Sequence, residues 1–297
     1  MAAKKRHVSY IKLEKERKRK RDKVKKGLLF GMRHLIPAIA VILTLVPILA
    51  IVIASFKSHD AFQSSGSFEF TGGFTFNNYK EALIDGNLLR GFVNTLFISV
   101  VSIILTIFIG SMTAYVLTRF KFIGSKLIKM MFLIASFVPS ITMQVSIFQI
   151  IKKLGIYNTY WAAILIYVGT DLVSVYIFMQ YLQEIPKAID EAAIMDGASR
   201  FTIYRKLILP LLRPATVSVI ILKGITFYND FFTAFLYMPT NDHAVISTAL
   251  KKFSALFGGR WEVLAAGIVI TMLPTLIAFI VFRKQIYKGV AQNTNKG

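Results

Sequence analysis

Three ionisable residues, Asp171, Lys223 and Asp230, lie inside long apolar stretches of the chain. A charge at the centre of a membrane helix costs roughly 2.5–3.5 kcal/mol, so each of them must face protein or water. Three roles fit such residues. They could relay protons, as in a transporter that works alone on an ion gradient. They could line a polar path for a solute. They could also be structural, with Asp171 or Asp230 paired to Lys223, or with Asp230 reaching the outer interface beside Asn229. A relay calls for His or a chain of carboxylates, and no His stands in these stretches. Lining combined with pairing is therefore the favoured reading. Around Asp230 crowd Phe227, Tyr228, Phe231, Phe232, Phe235 and Tyr237. Aromatic faces can stack on sugar rings. Most of these must face lipid or core, and Tyr228, Asn229 and Asp230 are the ones expected to approach a solute. A membrane enzyme would need clustered His, Asp or Glu within the apolar stretches, and the sequence offers no such cluster.

A second constellation is polar and lies between two apolar runs. It reads Glu191-Ala192-Ala193-Ile194-Met195-Asp196-Gly197, with Leu209-Pro210 following. Pro186 suits the first turn of a helix, where a missing N–H costs nothing. Asp190 and Glu191 fall early, where carboxylates favour the positive end of the helix dipole. Ala192 and Ala193 leave a low-relief face that another protein can approach. Gly197 is a C-terminal stop. Ser199 can cap a second helix from Arg200 to Leu209, which Pro210 interrupts. The spacing thus predicts a short helix-turn-helix on the membrane surface, held at both ends by neighbouring spans. A push on it would move those spans. Its plainer reading is an ordinary amphipathic loop.

The elements that position these residues follow from composition. Hydrophobic residues make up 55% and the mean hydropathy is +0.58, values of a multispanning membrane protein. The expected fold is all-α, with six spans at about Leu35–Phe56, Phe92–Thr118, Met130–Ile151, Trp161–Leu182, Ala215–Leu236 and Val263–Phe282. Twenty residues rising about 1.5 Å each cross a core roughly 30 Å thick. The first apolar run and its basic prelude are too long for a cleavable signal, so that run reads as a retained span.

Of the 36 Lys and Arg residues, 27 fall in the tail, the even loops and the C-terminus, eight fall in the odd loops, and Lys223 lies within a span. That imbalance predicts both termini on the cytoplasmic side. It also explains a net charge of +21 without nucleic acid, because the excess is in the tail and short loops. Residues 1–34 form a basic cytoplasmic tail, either an interfacial helix on anionic lipid or a solvated anchor. Residues 35–297 form the membrane domain, with the polar loop at 183–213. The chain has no Cys, which excludes disulfides and thiolate metal ligands. The outer loop Lys57–Arg90, rich in Phe68, Phe70, Phe74 and Phe76, is expected to lie against the membrane surface or a partner.

Pro139 and Pro274 each interrupt a span, as a simple kink or as a helix break at the substrate level. Gly110-x-x-x-Ala114, with Ser102 and Ser111, offers a small-residue face for packing, within the chain in preference to a dimer contact.

The polar loop resembles the EAA loop of ABC importer permeases. That pattern is Glu-Ala-Ala, three residues, Gly, nine residues, Ile, one residue, Leu-Pro, and here Leu207 stands for the Ile. Asp196-Gly197-Ala198-Ser199 is similar to the carbohydrate branch. So are Asn94-Thr95-Leu96, Ala114-Tyr115, Arg119-Phe120, Val138-Pro139, Tyr228-Asn229-Asp230-Phe231 and the ending Lys288-Gly289-Val290 with Lys296-Gly297. From about Arg33 onward the chain looks like the second, six-span subunit of maltose-type permeases.

The resemblance implies a type I ABC importer permease fold in a bacterial inner membrane. It implies that Glu191, Ala192, Ala193, Asp196, Gly197, Leu209 and Pro210 couple to a cytoplasmic ATPase. It also implies a second permease, two ATPase subunits that bind Mg-ATP, an external solute-binding protein and a carbohydrate, an oligosaccharide in particular, as cargo. Tyr228, Asn229, Asp230, Asp171 and Pro139 would lie on the pathway. The segment Gly258-Gly259-Arg260-Trp261 resembles the contact for the binding protein, or is a turn with an interface-anchoring Trp. The chain itself would hold no cofactor or metal and catalyse no reaction, in keeping with the absence of Gly-x-x-x-x-Gly-Lys-Ser/Thr. A stand-alone transporter driven by an ion gradient is the alternative.

Overall fold

A computed structural model describes residues 33–66, 68–69, 73–169, 171–256 and 259–294, with side chains at 140, 252–256 and 285–294 not characterised. The basic tail up to residue 32, Phe70, Gly72, Gly258 and the last three residues fall outside it. Helices are the secondary structure of the described residues. Three are long and apolar enough to cross a membrane unaided: α1 (Arg33–Ser55), α4 (Leu88–Arg119) and the first 24 residues of α15 (Trp261–Thr294).

The expected third, fourth and fifth spans are not single helices. The third is α5 (Ser125–Ser136), a 3₁₀ turn (Ser140–Met143) and α6 (Gln144–Lys153), with a bend of 98°. Pro139 lacks an N–H and pushes Val138 out of the helical region, so the helix stops and restarts. The fourth is α7 (Tyr160–Gly169) and α8 (Leu172–Glu184), bent by 43°. There the Asp171 side chain accepts the backbone N–H of Ser174 at 3.1 Å and caps a new helix. The fifth ends at Asn229. Asp230 is extended, and its carboxylate accepts the N–H of Thr233 at 3.2 Å to open another helix. By contrast Pro274, expected to interrupt its span, sits inside an unbroken α15.

The remaining helices are α2 (His59–Ser64), α3 (Asn77–Ile84), α9 (Ala188–Met195), α10 (Arg200–Ile203), α11 (Leu209–Leu211), α12 (Arg213–Asn229), α13 (Phe232–Tyr237) and α14 (Ile246–Leu256). The outer loop is therefore built. Phe74, Phe76 and Tyr79 pack around Phe56, with ring centroids 4.9–5.4 Å from it. Asn78 donates to the carbonyls of Ser55 and Lys57.

Helix α4 is the organising element, packed by α7, α8, α12 and α14. Its buried face carries Thr95, Ser99, Ser102, Thr106, Gly110 and Ala114, a small residue every three or four positions. Small residues let helix backbones approach, which is how packing is gained in lipid. A Cβ on Gly110 would already touch the Phe178 ring of α8 at 3.5 Å. The expected within-chain packing of Gly110 and Ala114 is what the structure has. Helix α1 is the opposite case, since its most apolar window buries nothing inside the fold.

Candidate functional site

The polar loop is built as a capped helix presented from the bundle. Helix α9 ends in a full Schellman motif: Gly197 N–H donates to Ile194 O at 2.9 Å and Ala198 N–H to Ala193 O at 3.0 Å. This needs a left-handed residue at the turn, and Gly197 has φ +78°. Ser199 caps the next helix as expected, accepting from Thr202 N–H. That helix passes Pro210 and ends one residue later. A π turn, Tyr204–Ile208, precedes the proline, with Leu209 N–H bonded to Tyr204 O.

Register divides α9 into two faces. Glu191, Ala192, Met195, Asp196 and Gly197 are exposed. Asp190 and Ala193 are buried. Asp190 is thus more than a dipole partner: Tyr115 Oη donates to its Oδ1 at 2.8 Å, and Arg119 Nε stands 3.1 Å from its Oδ2. Arg119 Nη2 also donates to Ile185 O at 2.8 Å. Sequence reasoning noted Asp190, Tyr115 and Arg119 separately and missed that they meet. The available signal was a second carboxylate directly before Glu191, turned about 100° from it on the same helix.

Within the membrane region Lys223 Nζ pairs with Asp171 Oδ1 at 2.6 Å, with side chains 12% and 2% exposed. Of the pairings open to these residues, Asp171 with Lys223 is the one the structure contains. Asp171 also lines a cavity of about 360 Å³ with Thr106, Gly110, Thr113 and Phe132. Asp230 stands apart from that pair. Tyr228 and Asn229 line a second cavity of about 310 Å³ with Ile246, Ser247, Leu250 and Thr271. Tyr228 Oη donates to Thr271 O at 2.9 Å. Pro139 lines neither cavity. The sequence-expected pathway residues therefore fall at three places in the structure.

At the outer surface Gly259 has φ +99° and Trp261 is exposed. Arg260 is not free. Its Nε donates to Glu262 Oε1 at 2.9 Å and its other nitrogens reach Glu81 of α3. His59 Nδ1 lies 3.1 Å from the same Glu262 oxygen. Burial alone lowers the Arg260 pKa, but Glu262 and Glu81 more than offset this and hold it above its ordinary value. Glu262 is fully buried. Arg260→Ala would leave its charge undercompensated, at a cost of about 3 kcal/mol. The expected result is a lower melting temperature of the detergent-solubilised protein, while Trp261→Ala leaves it nearly unchanged. Equal melting temperatures for Arg260→Ala and the parent would remove Arg260 as a structural tie.

Helices broken beside two cavities, a continuous central helix and a capped helix-turn-helix between apolar spans make up a multi-pass membrane fold. The chain belongs to the family of binding-protein-dependent transport system inner membrane components, which matches residues 106–291, more than half its length. It is an inner-membrane permease subunit of an ABC importer. The trehalose/maltose transport system permease of Thermococcus litoralis is 31% identical over 93% of this chain and 99% of the relative. The arabinooligosaccharides transport system permease of Halalkalibacterium halodurans is 29% identical over 84% and 91%. The fold is that of a bacterial ABC transporter involved in import of the acidic polysaccharide alginate, with a TM-score of 0.75, 22% identity, and 86% of this chain and 96% of that one covered.

Proposed function

We propose that this chain is one of two permease subunits of an ATP-driven importer for an oligosaccharide. The relatives named above, transport systems for trehalose and maltose and for arabinooligosaccharides, support the choice of cargo. One observation carries the coupling role: α9 exposes Glu191, Ala192, Asp196 and Gly197 outward while its other face is locked into the bundle. A helix so held can be gripped from outside and cannot yield without moving what holds it.

In this reading α9 docks on a cytoplasmic ATPase that binds Mg-ATP, with Glu191 as its polar contact and Leu209-Pro210 closing the lever. The chain itself performs no covalent step and holds no cofactor or metal. Residues 183–213 are the coupling loop of a membrane domain that runs from 35 to 297, with 1–34 a basic cytoplasmic tail. Tyr228 and Asn229, at an open cavity, contribute to the solute path with Asp230 and with the Asp171 cavity, and the break at Pro139 gives that path room. Gly259, Arg260 and Trp261 form the outer surface met by a solute-binding protein, Arg260 by shaping the turn and Trp261 by contact. The ion pair of Asp171 with Lys223 supports a structural role for this carboxylate over a proton relay.

The test is reconstitution with the second permease, the ATPase and the binding protein encoded beside it. Labelled maltose, trehalose, arabinooligosaccharides and diacetylchitobiose are offered with and without ATP. Uptake of one of them only with ATP and the ATPase is the expected result. Uphill uptake by this chain alone would end the proposal.

A further inference from the structure

Two residue groups stand out in the sequence, Asn94-Thr95 and Tyr115 to Arg119. Both belong to α4, at its opposite ends. At the inner end, Tyr115 and Arg119 hold Asp190 of the coupling helix. The hydroxyls of Ser111 and Tyr204 meet there at 2.8 Å, and Arg200 lies over the Phe120 ring. The whole helix-turn-helix is thus fastened to the end of α4.

At the outer end, Asn94 Nδ2 donates to the carbonyls of Asp242 at 3.2 Å and Ala244 at 2.8 Å, and its Oδ1 accepts from Tyr160 Oη at 2.9 Å. Thr95 Oγ1 accepts from Ile246 N–H at 2.9 Å. Asn94, Thr95, Ala244 and Ile246 are all buried. The approach is close, because a Cβ on Gly91 would meet Ile246 backbone at 3.2 Å. Helix α14 begins at that point. It lines the cavity of Tyr228 and Asn229 through Ile246, Ser247 and Leu250, and Ser247 Oγ donates to Asp230 O at 2.9 Å.

Between the two grips α4 has no proline and no break. From Asn94 to Arg119 it spans about 38 Å at 1.5 Å per residue. The spans that follow it are broken until α15. The inner grip cannot slip without stranding a buried charge, and the outer one cannot slip without stranding buried backbone groups.

We propose that α4 is the rod that carries displacement of the coupling helix to the outer loop 242–246, with Asp190, Tyr115 and Arg119 as its inner grip and Asn94 and Thr95 as its outer grip. This rests on the importer reading. The five are positioning residues: none touches nucleotide or cargo.

The test uses the assembled transporter. Because the chain has no Cys, an Asn241→Cys substitution at the exposed start of the outer loop gives one labelling site in this subunit. A fluorophore there is read before and after Mg-ATP with vanadate, next to ATP hydrolysis per assembled complex. In the parent the emission shifts. Tyr115→Phe and Asn94→Ala, at opposite ends of the rod, each reduce the shift at least fivefold while hydrolysis stays within twofold. Should Asn94→Ala not assemble, Thr95→Val tests the same grip. A role in folding alone would lower assembled protein and leave the shift per complex intact, and that result overturns the rod. So does a full shift in both variants. A parent that does not hydrolyse ATP with its partners overturns the importer reading itself, and is told apart by failing before any variant is made.

Discussion

A chain carrying Glu191→Lys is expected to insert into the membrane at normal levels and to support no uptake. Glu191 is exposed on the outward face of α9, so the substitution leaves the buried contacts of Asp190 and Ala193 alone. What changes is the sign of the charge offered to the ATPase. Like-charge juxtaposition at an interface costs several kcal/mol, roughly a hundredfold or more in affinity. Gly197→Asp is expected to give the same outcome by another route. Nothing lies within 4 Å of a Cβ built there, so there is no clash inside the chain. The strain is conformational, because φ is +78° and a left-handed residue with a side chain costs roughly 1–2 kcal/mol. The added carboxylate also meets the negative end of the α9 dipole, a further cost of about 0.3–1 kcal/mol. Uptake by the reconstituted transporter, set against the amount of chain in the membrane, measures both. Normal uptake by both variants would remove α9 from the coupling path.

The second large effect is on stability. Lys223→Met is expected to cost about 3–5 kcal/mol, because it leaves the Asp171 carboxylate buried and uncompensated. Asp171 Oδ2 already lacks a partner, so the Lys223 ammonium is the charge that compensates this carboxylate. The double variant Lys223→Met with Asp171→Asn should regain most of the loss, since removing both members of a buried pair is often close to neutral. Thermal unfolding of the purified chain compares the three proteins. If Lys223→Met melts with the parent, the pair is not a structural tie. The double variant also bears on mechanism. If it folds and its transporter still moves sugar, Asp171 carries no proton.

These two sites differ in how openly the sequence announced them. The coupling helix was legible because its signals are local: Pro186 before it, Gly197 after it and Ser199 opening the next helix act through neighbours in the chain. The long spans were legible because apolar length alone predicts them. The breaks were not, because a hydropathy window averages across an interruption of two or three residues. The clues were there in Asp171-x-x-Ser174 and Asp230-x-x-Thr233, patterns of a carboxylate capping a helix three residues on. Both aspartates were read for their charge and not for their capping geometry. The Asp190–Arg119–Tyr115 contact lay further out of reach, because it joins positions some seventy residues apart and depends on which way α9 turns. Arg260 shows the same limit. Its neighbours Gly259 and Trp261 suggested an open contact, and Glu81, far away in the chain, occupies the guanidinium.

The bareness of α1 has a consequence for how the protein is made. No residue of its most apolar stretch is buried in the fold, so it can settle in lipid as soon as it leaves the ribosome. The pairs α5 with α6 and α7 with α8 have no such independence. Their pieces are 10 to 13 residues long, too short to cross alone, and each break bares backbone groups that hydrocarbon will not tolerate. Both follow α4 in the chain, and α4 is what α7 and α8 lie against. Synthesis from the N-terminus therefore delivers α4 as a template before α7 and α8, which pack on it.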